Sequence, residues 1–185
     1  MAELSNFQEN KISKLFTMLY DSNNDGVIEK RDFDIYLRKV SQVLGWKSDS
    51  EKYLKAQETL NTVWDGLKEY ADTDKDAKIT LEEWLRMWRD CLKDIEAGEF
   101  PAWQKKYMDL MFDVNDMSGD ELIDMEEYKT FLTQFGVSQD ECSDAFSKIS
   151  GGSDITREQF ASLWRGYLTS NDKEAAANFL FGTNQ

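Results

Sequence analysis

The chain has 185 residues, 36 of them acidic and 22 basic, with no histidine and a formal net charge of -14. That balance argues against nucleic acid and anionic membrane surfaces as partners and for cations or basic segments. A single proline, 10 glycines and 13% aromatic residues argue against disorder and an all-β fold and predict long helices around a real core.

The first helix is predicted over about residues 5–20, where Phe7, Ile12, Leu15, Phe16 and Leu19 recur at helical spacing. It runs into Asp21-Ser-Asn23-Asn-Asp25-Gly26-Val27-Ile28-Glu29-Lys-Arg-Asp32. Oxygen-bearing side chains stand at positions 1, 3, 5, 9 and 12 of this stretch, Gly26 takes the tight turn at 6 and Val27 offers a carbonyl at 7. A calcium ion takes six to eight oxygens at about 2.3–2.6 Å, and this is the spacing of an EF-hand loop. Ile28 at position 8 is expected to bridge to a partner loop. Phe33, Tyr36, Leu37, Val40, Val43 and Leu44 make the exiting helix, which stops near Gly45.

A long helix with Tyr53, Leu54, Leu60, Val63, Trp64, Leu67 and Tyr70 then leads into a second loop. Asp72, Asp74, Asp76, the Lys78 carbonyl and Glu83 are its candidate ligands. Ala77 replaces glycine at position 6 and must turn left-handed at a cost of about 1 kcal/mol. Thr80-x-x-Glu83 is also a capping box, so the last ligand and the helix start share residues. Trp84, Leu85, Trp88, Cys91, Leu92 and Ile95 follow on one face.

Gly98 and Pro101 interrupt the pattern, which divides the chain into a first hand pair, 1–97, a second, 98–170, and a tail, 171–185. After a helix bearing Trp103, Tyr107, Leu110 and Met111, the third loop is aligned so that Ile123 matches Ile28 and Ile79. Its ligands are then Asp116, Ser118, Asp120, the Leu122 carbonyl and Glu127, with Asp124 at position 9 and Glu121 at the glycine position. Ser138 caps a seventh helix. Alignment on Ile155 gives the fourth loop Lys148, Ser150, Gly152 and Gln159 at positions 1, 3, 5 and 12, so it is expected to hold no ion and to act as scaffold. Phe160, Leu163, Trp164, Tyr167 and Leu168 mark the last helix; residues 171–177 are expected to add a short helix, and Phe179, Leu180 and Phe181 to pack into a groove.

These features make the fold class all-α, with four EF-hand helix-loop-helix units in two pairs forming one compact globule. The sequence resembles the invertebrate sarcoplasmic calcium-binding proteins, most closely the calexcitin branch. The resemblance is carried by Asp32 at position 12, Glu82-Glu-Trp84-Leu-Arg-Met-Trp88, Met111 to Asp120, the degenerate fourth hand, Ser170-Asn-Asp172 and Leu180-Phe-Gly-Thr183. It implies three metal sites and a role as cytosolic calcium buffer or neuronal calcium signalling protein.

Three calcium ions are expected as cofactors, with magnesium also at the first loop because Asp32 is shorter than the usual glutamate. Buffering is the leading function, since aromatic residues far outnumber the seven methionines and suit a fixed core rather than an adaptable groove. The alternative is a calexcitin-type sensor that modulates a protein target. A luciferin-binding photoprotein is the reading from another class, but its pocket would need histidine. There is no Walker motif, and no enzyme is expected. Cys91 and Cys142 read as reduced thiols. No signal peptide, myristoylation glycine, membrane span or prenylation box is recognised, so a cytoplasmic monomer without an obligatory membrane or nucleic-acid partner is expected.

Overall fold

The computed structural model describes residues 3–182. Among the described residues, eight α-helices form four helix-loop-helix hands: α1 (Asn6–Leu15) with α2 (Lys30–Val43), α3 (Glu51–Ala71) with α4 (Leu81–Glu96), α5 (Ala102–Asn115) with α6 (Met125–Thr133), and α7 (Gln139–Ser150) with α8 (Arg157–Thr169). Two-residue strands join the loops in pairs. β1 (Val27–Ile28) runs antiparallel to β2 (Ile79–Thr80), with Ile28 opposite Ile79; β3 (Leu122–Ile123) pairs with β4 (Ile155–Thr156), with Ile123 opposite Ile155. The described residues pack as two compact units that divide between Leu110 and Met111. No helix among the described residues is long and apolar enough to cross a membrane.

The helix starts follow the capping chemistry of the sequence. Reciprocal capping boxes close at Ser5/Gln8, Thr80/Glu83, Asp124/Glu127 and Thr156/Gln159. Each satisfies two backbone donors that the first helical turn would otherwise leave unpaired. The first helix differs from expectation at its end. After Leu15 the chain winds as a π-helical turn, Phe16–Tyr20, and the Asp21 N–H donates to the Phe16 carbonyl at 2.8 Å. Tertiary contacts account for the wider turn. It seats Tyr20 against Trp84 and Tyr107, both at 4.6 Å between ring centroids, and Tyr20 Oη donates to Gln104 Oε1.

The first unit is built on these rings. Trp84 also meets Phe16 and Trp88 edge-on, its indole N–H donates to the Ile12 carbonyl at 3.0 Å, and Tyr107 Oη donates to the Leu19 carbonyl at 2.8 Å. On α3 the buried stripe is Ala56, Leu60, Val63, Trp64, Leu67 and Ala71, whereas Leu54 and Tyr70 are about half exposed. At 3.6 residues per turn Leu54 falls opposite the stripe and Tyr70 on its rim. On α1, Phe7 is only partly covered, and the polar Gln8 and Lys11 are buried in its place.

Lys11 is 1% exposed with its ammonium 4.6 Å from the centre of the Phe7 ring, and burial lowers its pKa from 10.5 to about 8. Between those values the unfolded chain holds a proton that the folded one has shed, so stability rises with pH across this window. Burial also raises the Cys91 and Cys142 thiols above the ordinary 9.0 and Tyr20, Tyr36 and Tyr107 above 10.0, which reverses the trend from about pH 9 upward. The melting temperature is therefore expected to climb from pH 8 to about pH 9, and Lys11→Met to flatten that climb.

In the second unit Phe112, Phe160 and Trp164 form a chain of rings that ends on the tail. Phe181 packs edge-on against Trp164 at 5.2 Å and Tyr167 at 5.0 Å, and Leu180 and Phe181 are each 2% exposed. Gly166 makes the approach possible, because a Cβ there would lie 2.7 Å from that of Ala177. Two expectations about the tail are corrected. The predicted short helix over 171–177 is instead a 3₁₀ turn, Ala176–Phe179, and Phe179 is only partly covered, with the Lys148 ammonium 3.7 Å from its ring centre. The residue buried at that point is Asn178, whose amide nitrogen donates to the carbonyls of Asp172 and Lys173.

Candidate metal centres

Three loops share one backbone rhythm. Positions 4 and 6 are left-handed in each: Asn24 and Gly26, Lys75 and Ala77, Gly119 and Glu121, with φ between 59° and 88°. The turns at Ala77 (φ 62°) and Glu121 (φ 66°) fall where position 6 demanded them. At position 4, Asn24 and Gly119 are residue types that favour this turn, whereas Lys75 gives no sign of it and only the fold reveals it. The strain is local and testable. Ala77→Gly is expected to stabilise the metal-free first unit by about 0.5–1 kcal/mol, read as a higher melting temperature.

The two left-handed residues curl the backbone so that its N–H groups point inward at the position-1 carboxylate. Asp21 accepts from Asp25 and Gly26, Asp72 from Ala77, and Asp116 from Gly119, Asp120 and Glu121. Carboxylates at position 5 accept from position 7, as Asp25 does from Val27, Asp76 from Lys78 and Asp120 from Leu122. At position 3, Asn23 and Asp74 accept from the position-5 N–H, while the Ser118 hydroxyl donates to Asp116. The carbonyl residues Val27 and Leu122 lie in β1 and β3, and Lys78 directly precedes β2.

In the second loop Asp72, Asp74 and Asp76 bring carboxylate oxygens within 4.8 Å of one another. Asp72 Oδ1 is buried there without a hydrogen-bond donor. Three converging negative groups and an unpartnered buried oxygen are costly unless a cation completes them, and hard oxygen donors in this number fit a calcium-sized ion. In the first loop Asp32 is fully buried; burial raises its carboxyl pKa, and the charges of Asp21 and Asp25 add to the rise against the hydrogen bonds that Asn23 and Glu29 donate. A cation would relieve that repulsion too.

The position-12 carboxylates are held differently. Asp32 accepts the N–H groups of Asn23 and Glu29, and Glu127 those of Ser118 and Asp124. Glu83 accepts the Thr73 and Thr80 N–H groups and both of their hydroxyls, and Arg86 donates to Thr73 Oγ1 at 2.6 Å. Burial alone would raise the Glu83 carboxyl, but these four bonds hold it at about 2. Thr73 and Arg86 bear on a candidate ligand without being ligands, and loop spacing gives no signal for them.

The fourth loop lacks the rhythm. α7 continues through Ser150, so positions 1 to 3 remain helical, and the left-handed residues are Gly151 and Gly152 at positions 4 and 5. Lys148 directs its ammonium at Phe179. What persists is the Ile123–Ile155 pairing and the Thr156/Gln159 box, which are the structural parts of a hand.

No family model matches the chain. Calexcitin-1 of Caenorhabditis elegans is 29% identical over 187 residues, covering 98% of this chain and 89% of the relative. Sarcoplasmic calcium-binding proteins II, V, VI and VII of Branchiostoma lanceolatum are 29% identical over 182 residues, covering 97% and 98%. The solved structure of a sarcoplasmic calcium-binding protein from amphioxus superposes with a TM-score of 0.83 at 28% identity, over 98% of this chain and all of that one. Along nearly its whole length, the chain is homologous to the sarcoplasmic calcium-binding proteins and calexcitin-1, and it has the all-α EF-hand fold of the amphioxus protein.

Proposed function

We propose that the protein binds three calcium ions, in the loops beginning at Asp21, Asp72 and Asp116, and acts as an intracellular calcium buffer without catalysis. The observation that carries this reading is the common loop rhythm: three loops turn their N–H groups onto a position-1 aspartate, and the fourth does not. The names of the relatives support the choice of calcium. Binding would change the net charge from -14 to -8, three ions adding six positive charges, and relieve repulsion within the loops.

Buffering is favoured over sensing by what fills the cores. A calmodulin-type sensor opens a Met-rich groove on binding calcium. Here Trp84, Trp88 and Trp164 are fully buried, the turn Ala176–Phe179 lies against α7 and α8, and Phe181 packs on Trp164 and Tyr167 of α8. The kinship with calexcitin-1 supports the second reading, a signalling protein with a target of its own. A calorimetric calcium titration, with and without millimolar magnesium and with hydrophobic-dye binding in parallel, tests both. Three equivalents and no gain in dye binding are expected; a fourth equivalent of comparable affinity would overturn the site assignment, and strong calcium-dependent dye binding the buffer role.

The first loop is the magnesium-tolerant one in this reading. Asp32 reaches an ion with one oxygen where glutamate gives two, leaving a six-oxygen shell suited to magnesium. Asp32→Glu is expected to raise the calcium-over-magnesium preference of that loop by about tenfold. Calcium titrations of the variant at fixed magnesium check this, and unchanged competition would refute the coordination argument.

A further inference from the structure

Around the third loop, two carboxylates that are not candidate ligands converge on one side chain. Arg157 opens α8 at position 10 of the fourth loop. Its Nη2 donates to Asp113 Oδ1 at 2.7 Å, its Nε donates to Glu121 Oε2 at 3.1 Å, and its guanidinium carbon lies 4.2 Å from the centre of the Phe112 ring. Phe112 and Asp113 belong to α5, just before Asp116, and Glu121 is the left-handed residue at position 6. One guanidinium thus ties the entering helix and the strained turn of the third loop to the fourth hand.

Two local preferences are broken to place it. A cation opens α8, where the helix dipole favours an anion, and a glutamate adopts φ 66° where glycine is at ease. Each exception is compensated by the other. The first pair provides an internal comparison: Met18, Gly26 and Leu81 occupy the positions of Asp113, Glu121 and Arg157. Both loops of that pair carry candidate ligands, whereas in the second pair the fourth loop has Lys148, Gly152 and Gln159 at positions 1, 5 and 12. The charged triplet occurs in the pair that lacks a second ion site.

We propose that Arg157 is a resident cation that takes over the organising role of the missing fourth ion, holding the third loop in its metal-ready form before metal arrives. This rests on the reading of the third loop as a calcium site. Two effects of the guanidinium oppose each other. Its charge repels a divalent ion, but for an exposed group roughly 10 Å away in physiological salt that weakens binding less than about twofold. Its forked ion pairs and ring contact spare the ion the work of ordering the turn, which is worth about three- to tenfold in affinity. Ordering wins, so Arg157 is a positioning residue that strengthens the site.

The test is a calcium titration of the full, ¹⁵N-labelled chain, with the Gly119 and Glu121 amides reporting the third loop and Gly26 and Ala77 the other two. Arg157→Gln is expected to raise the third-loop dissociation constant about three- to tenfold, leave the others unchanged, and speed exchange of the Glu121 amide in the metal-free protein. Arg157→Lys keeps the charge but cannot fork or stack, and should retain most of the loss. In a Glu121→Gly background the effect of Arg157→Gln should shrink below about twofold, because its partner and the strain it offsets are gone. Tighter binding by Arg157→Gln, or an unchanged dissociation constant together with unchanged Glu121 exchange, would overturn the role of Arg157 alone. Wild-type Gly119 and Glu121 amides that fail to respond to calcium would overturn the third-loop site and this proposal with it.

Discussion

Glu83→Gln is expected to weaken calcium binding at the second loop by roughly a hundredfold or more, while the third loop keeps its affinity. Removing one unit of charge from the shell of a divalent ion forfeits about 3 kcal/mol even with generous screening, and each 1.36 kcal/mol is a factor of ten. The glutamine amide also cannot accept at both ends. Glu83 takes four hydrogen bonds, two on each oxygen, from Thr73 and Thr80. With the amide oxygen turned to Thr80, as in the Thr156/Gln159 box, the amide nitrogen would face the Thr73 donors, so the link to Thr73 is lost together with the site. Because β2 pairs with β1, a smaller loss of several-fold is expected at the first loop. Site-resolved calcium titration of the variant checks all three loops, and an equal loss at the third would show that the two hand pairs bind as one unit.

Deleting the residues from Phe179 onward is expected to destabilise the second unit by about 4–6 kcal/mol, the sum of burying Leu180 and Phe181 and of stranding a buried hydroxyl. That hydroxyl is Tyr128 Oη, which donates to the Phe179 carbonyl at 2.9 Å and the Leu180 carbonyl at 3.1 Å. The milder Phe181→Ala leaves the backbone acceptors in place and should cost about 3–5 kcal/mol, because the ring touches both Trp164 and Tyr167. Thermal unfolding of the calcium form measures both effects, and hydrophobic-dye binding should rise in the truncated protein. Unchanged melting would mean the tail is not seated in solution. Phe179→Ala is expected to be nearly neutral, since that ring is partly exposed beneath the Lys148 ammonium.

The sequence by itself determined what twelve-residue spacing and helix capping control. The oxygen-bearing positions, the apolar residue at position 8 and the capping boxes each act within one or two turns of chain, so the hands, the strand pairing at Ile28, Ile79, Ile123 and Ile155, and the left-handed turns at Ala77 and Glu121 are legible in the residues alone. Apolar periodicity likewise marked most of the buried faces. It misplaced Val43, Leu54 and Tyr70, as the apolar run of the tail misplaced Phe179, because an apolar side chain shows a preference for burial and does not say which neighbours will cover it. Only tertiary structure decided the rest. The π turn before Asp21 exists because Tyr20 meets Trp84, Gln104 and Tyr107, all more than sixty residues away in the chain. The Thr73 and Arg86 latch on Glu83 and the Arg157 fork between Asp113 and Glu121 have the same character. Their partners lie 10 to 44 residues apart: Thr73 meets Glu83 and Arg86 only once the second loop closes on itself, and Arg157 meets Asp113 and Glu121 only once the pairing of β3 with β4 sets the third and fourth loops side by side.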